Sequence, residues 1–82
     1  NIHLAEELLQ ETLNLALRTD DFVNHACAYR GLAEVMLAKG DIKMAKSYAQ
    51  KALACFEKAG DTVGAAGLKD LMTQINSQDR RL

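Results

Sequence analysis

Apolar residues recur at steps of three and four in four successive stretches of the chain, the spacing that places them on one face of a helix. The third stretch is the clearest, with Ala45, Tyr48, Ala49, Ala52, Leu53 and Phe56 in line. The second carries Tyr29, Leu32, Ala33 and Met36, and the fourth Ala65, Leu68, Met72 and Ile75 with Leu71 beside them. The first has two stripes, one through Ile2, Ala5, Leu9, Leu13 and Ala16 and another through Leu4, Leu8 and Leu15. A helix apolar on two sides needs neighbours on both. Between the stretches stand Thr19-Asp20-Asp21, Lys39-Gly40-Asp41 and Ala59-Gly60-Asp61, evenly spaced. Glycine closes a helix in the left-handed conformation without steric cost, and the aspartate after it accepts from the free N–H groups of the next helix. The pattern predicts helices over about 2–18, 22–38, 42–58 and 62–76, with a weaker first turn where Asp20 replaces glycine.

Composition strengthens the helical reading. Proline is absent, where average usage would supply roughly four. Alanine (13) and leucine (12) outnumber valine and isoleucine (three each), a bias toward strong helix formers. The expected fold class is all-α. A net charge of −1 and a pI near 6.1 argue against a nucleic-acid partner, because binding a phosphate backbone calls for a basic excess. No apolar run approaches the roughly 20 residues of a membrane span, and a cytoplasmic location is expected. Cys27 and Cys55 are too few for a disulfide scaffold.

A shift of forty residues aligns the chain with itself. Leu4, Ala5, Leu8, Leu9, Thr12 and Leu13 fall on Met44, Ala45, Tyr48, Ala49, Ala52 and Leu53. Leu68, Leu71, Met72 and Ile75 fall on Tyr29, Leu32, Ala33 and Met36 once one residue is dropped. Helices one and three are then one half of a two-helix unit, and helices two and four the other. Units that cannot bury their faces alone stack into a solenoid.

Tyr29-x-x-Leu32-Ala33-x-x-Met36, followed by Gly40-Asp41, Ala45 and Gln50-Lys51-Ala52-Leu53, resembles a tetratricopeptide repeat. Ala33 admits the second helix closely while Tyr29, Leu32 and Met36 fill the space around it. Three features depart from the pattern: Ala49 stands where an aromatic is common, the terminal proline is missing, and the period is near 40 rather than 34. Longer helices of this kind resemble the arrays of G-protein-signalling adaptors and of bacterial regulatory ATPases. The resemblance implies antiparallel hairpins stacked as a right-handed superhelix of four helices, with residues 1–20 a half-repeat, 21–60 a full repeat, 61–76 a capping half-repeat and 77–82 a polar tail. The leading half-repeat lacks its own first helix, so the stripe through Leu4, Leu8 and Leu15 is expected to meet preceding repeats of a longer array or another chain, self-association through helix one included. Met72, large where the pattern wants a small residue, marks helix four as a cap.

The resemblance further implies a protein-interaction module that holds a protein or peptide segment in a groove lined by Cys27, Arg30, Glu34 and Leu37 of helix two and Ala66, Lys69 and Thr73 of helix four. Such a module is a scaffold or adaptor; the alternative is a regulatory or oligomerisation segment of a signalling ATPase or transcriptional regulator. Clamping of a C-terminal carboxylate is not expected, because Gly31 and Asp70 follow Arg30 and Lys69 where a donor is required. Glu6 and Glu11 align with Lys46 and Lys51 in the forty-residue shift and read as neighbouring surface charges. His3, His25, Cys27 and Cys55 lack metal-ligand spacing, Gly67-Leu68-Lys69-Asp70 lacks the continuation of a phosphate loop, and no nucleophile stands with a base. No cofactor, metal or enzymatic activity is expected.

Overall fold

The computed structural model describes residues 1–80. Four α-helices follow one another: α1 (Ile2–Ala16), α2 (Phe22–Lys39), α3 (Ile42–Ala59) and α4 (Thr62–Arg80). No strand occurs among the described residues.

The corners follow from their side chains. Asp21, Asp41 and Asp61 each accept a hydrogen bond from the backbone N–H three residues on, at 3.2, 3.1 and 2.8 Å, and so occupy donors that a helix start leaves free. Gly40 and Gly60 adopt φ of +83° and +72°. Around each, two N–H groups fold back onto the preceding helix: Gly40 to Leu37 and Asp41 to Met36, Gly60 to Glu57 and Asp61 to Phe56. This paired closure tolerates a left-handed residue only at glycine without strain. Gly40→Ala is therefore expected to lower stability by about 1–2 kcal/mol although open space surrounds the site. Urea unfolding tests this, and an unchanged midpoint would remove the cap argument.

The first corner has no glycine, and α1 ends two residues before the expected position 18. Its last carbonyls are closed by side chains instead. Thr19 Oγ1 donates to the Ala16 carbonyl at 3.0 Å. His25 Nε2 lies 2.6 Å from the same carbonyl and 2.9 Å from that of Thr19. His25 is thereby buried without an unmet polar atom.

At the other end α4 continues to Arg80, past the expected boundary at 76. Residues 77–80, expected as a polar tail, are exposed but helical; Arg81 and Leu82, also assigned to that tail, lie outside the described residues. Nothing between Asn76 and Arg80 stops a helix, and Lys46 on α3 holds Asp79 at 2.5 Å.

The core explains the stacking. Ala33 on α2 and Ala45, Ala49 and Ala52 on α3 are fully buried, which brings those two helices into the closest and longest contact of the fold. Contacts of α1 with α2 and of α3 with α4 are smaller and similar to each other, and α2 also touches α4. That alternation is what one full hairpin unit between two half-units predicts: one intimate pair within the unit, with an equivalent joint on either side. Gly31 lies beneath Leu9, whose Cδ2 would stand 2.6 Å from any added Cβ. Gly64 lies beneath the Phe56 ring at 2.5 Å by the same measure. Glycine is thus the residue that lets each joint close.

Candidate functional site

α2 and α4 meet along a shallow cleft of about 250 Å³ lined by Arg30, Glu34, Gly67, Asp70, Leu71 and Gln74. Arg30 Nε donates to Glu34 Oε1 at 3.3 Å, one helical turn away. Its guanidinium lies over Gly67, 3.4 Å from where the first side-chain carbon of another residue would stand. The cleft therefore presents a cation, two carboxylates and an amide beside the apolar Leu71. Such a set suits the backbone and mixed side chains of an extended polypeptide.

Arg30 and Glu34 stand together in this cleft; the remaining groove residues expected from the sequence do not join them. Lys69 lies two residues beyond Gly67, about 200° around the helix, and faces a separate hollow with Phe56, Glu57 and Ala66. Thr73 lies with Asn76, Ser77 and Arg80 near the end of α4. Leu37 is half-buried and packs on the main core. Cys27 is exposed on the opposite flank of α2, toward α1. The physical reason is the repeat itself. Equivalent positions on α2 and α4 point the same way along the stack, so Arg30 meets the rear flank of α4 while Lys69 points onward. Asp70 and Gln74, which do face Arg30, are found by asking which flank of α4 looks back at α2.

The surface charges also pair differently from the forty-residue alignment. Glu6 binds Lys39 on α2 at 3.2 Å through both carboxylate oxygens, not Lys46. Lys51 stands 5.8 Å from the ring centres of both Tyr29 and Tyr48 rather than beside Glu11. Tyr48 Oη in turn accepts from Gln10 Nε2 at 3.0 Å, the polar link that ties α1 to α3. Burial pushes the Cys55 thiol above its ordinary pKa, with nearby Lys58 opposing the shift. Among the described residues no three His, Cys, Asp or Glu side chains gather as a metal site would require, and no helix is long and apolar enough to cross a membrane.

Leu4, Leu8 and Leu15 are 54%, 55% and 63% exposed. They form one side of α1, while Leu13 and Leu9 on the other side pack with Ala28 and Leu32.

No curated protein and no solved structure matches the chain. The family described as tetratricopeptide repeat matches residues 1–58, which span α1, α2 and nearly all of α3. Repeats of this kind are non-catalytic modules that generally mediate protein–protein interaction. The alanine seam between α2 and α3, the two equivalent joints on either side of it and a match over most of the chain lead to one assignment: the chain belongs to the tetratricopeptide repeat family.

Proposed function

We propose that the chain acts as a scaffold or adaptor that holds an extended segment of a partner protein along the α2–α4 cleft. The observation that carries this reading is the juxtaposition of Arg30 and Glu34 with Asp70 and Gln74 along an open cleft floored by the buried Leu71. The polar side chains would hydrogen-bond the segment, and the charges would select register and direction. Arg30 and Glu34 are both substantially exposed, so their mutual ion pair contributes only a few tenths of a kcal/mol and yields readily to a ligand.

The test is affinity capture of partners from cell extract with three forms of the chain. Partner recovery is expected to fall at least tenfold with Arg30→Glu combined with Gln74→Glu, and to persist with Lys69→Glu, which lies off the cleft. Circular dichroism should be the same for all three. Recovery that is indifferent to the first pair, or lost with Lys69→Glu alone, would move the binding surface elsewhere.

A further inference from the structure

Charges stand in a fixed order along the α2–α4 cleft. Arg30 Nη1 lies 3.4 Å from the Cβ position of Gly67, which brings the guanidinium of α2 against that point of α4. Each of the two glycine corners between α2 and α4 reverses the chain, so these helices run the same way. Glu34 is four residues past Arg30, about 6 Å along α2, and Asp70 is three residues past Gly67, about 4.5 Å along α4. The two carboxylates therefore stand on opposite banks, roughly one turn beyond the cation. Leu71 is buried beneath them, and Gln74 follows a turn farther along α4. Arg30 reaches Glu34 through a single bond. Asp70 is exposed and has no ion-pair partner among the described residues.

An extended segment repeats its side chains on one face every second residue, roughly 6.4–6.8 Å, close to the rise from Arg30 to Glu34. We propose that the segment held in this cleft carries an acidic and a basic side chain two residues apart, the acid seated on Arg30 and the base between Glu34 and Asp70. This specificity rests on the cleft being the binding surface, as proposed above. Two bases at that spacing would set one against Arg30, and two acids would set one between the carboxylates; like charges so placed disfavour the wrong segment. The mixed pair meets an opposite charge at both places. On binding, the Arg30–Glu34 bond of 3.3 Å is exchanged for bonds to the segment, so neither charge loses a partner and Asp70 gains one. Gln74 carries both a donor and an acceptor and can bond the segment's backbone one turn on. A sequence with the acid first then runs with α2, and one with the base first runs against it.

Amide-shift titration by NMR reads the result, with four synthetic peptides of equal length that otherwise alternate alanine and threonine. They carry aspartate and lysine two apart, aspartate and lysine adjacent, two aspartates two apart, or two lysines two apart. The first is expected to shift the amides of residues 30–34 and 67–74 and to bind roughly two- to fivefold more tightly than each of the others, the size of an exposed ion pair. Arg30→Glu should turn the preference to the two-lysine peptide, and Asp70→Lys to the two-aspartate peptide. Lys69→Glu, off the cleft, should leave the order unchanged, and circular dichroism should be the same throughout. Equal binding of all four peptides at those amides would keep the cleft as the binding surface and overturn the charge pattern. A preference that both charge reversals leave in place would do the same. No shift at those amides with any peptide would overturn the cleft and the pattern together.

Discussion

Phe56→Ala is expected to lower the stability of the chain by about 3–5 kcal/mol. The ring is 3% exposed and fills the joint between α3 and α4 directly above Gly64. Its removal would leave a void above that glycine. A domain of this size has a total stability on the order of 4–12 kcal/mol, so the substitution removes a large part of it. Urea unfolding followed by circular dichroism measures the loss, and a change below about 1 kcal/mol would contradict the packing described here. The same joint supplies an internal control. A Cβ at position 64 would meet the Phe56 ring at 2.5 Å, and Gly64→Ala should cost about 1–3 kcal/mol by overpacking. In the Phe56→Ala background that overpacking cost disappears, and the two changes should be far from additive.

Leu32→Ala is the second large effect, with an expected cost of about 2–5 kcal/mol. Leu32 is fully buried and joins Leu13 of α1 to Ala28 and the two tyrosines. Its consequence differs in kind from that of Phe56. α1 is bound to the rest of the fold chiefly through this cluster, the Glu6–Lys39 pair and the Gln10–Tyr48 bond. Loss of Leu32 should therefore release α1 first, by local opening rather than global unfolding. Amide exchange measures it. Protection should fall across Leu8–Leu15 well before it falls across Ala45–Phe56, and uniform loss over all four helices would contradict the reading that α1 is a separately held joint.

These two contrasts bear on how much of the molecule is legible in the amino-acid order. The helices and their corners are, because each depends on residues adjacent in the chain: an aspartate and the N–H three residues on, a glycine and the carbonyls just before it. α2 and α3 end within a residue of the expected positions for that reason. The two misplaced boundaries are those controlled from a distance. The end of α1 is shaped by His25, nine residues away from Ala16 in sequence. The end of α4 is held by Lys46, thirty-three residues from Asp79.

The candidate cleft divides along the same line. Arg30 and Glu34 share one helix and one flank, which a helical period reveals. The α4 residues that face them, Asp70 and Gln74, follow from how successive units are offset, whereas the groove positions implied by the family resemblance, Lys69 and Thr73, lie on other flanks of α4. Glu6 and Glu11 went to Lys46 and Lys51 in the forty-residue alignment for the same reason. Equivalence in a repeat locates residues that play the same part, and the residues in contact are those on opposing flanks.

α1 and α3 hold equivalent places on α2 and α4, in an open stack rather than a closed bundle. Nuclear Overhauser contacts in the isolated chain test it most directly. Contacts are expected from Leu9 and Leu13 to Gly31 and Leu32 and from the Phe56 ring to Gly64, and none within one molecule between α1 and α4. Intramolecular contacts between Leu4, Leu8 or Leu15 and α4 would show a bundle closed on itself and would contradict it.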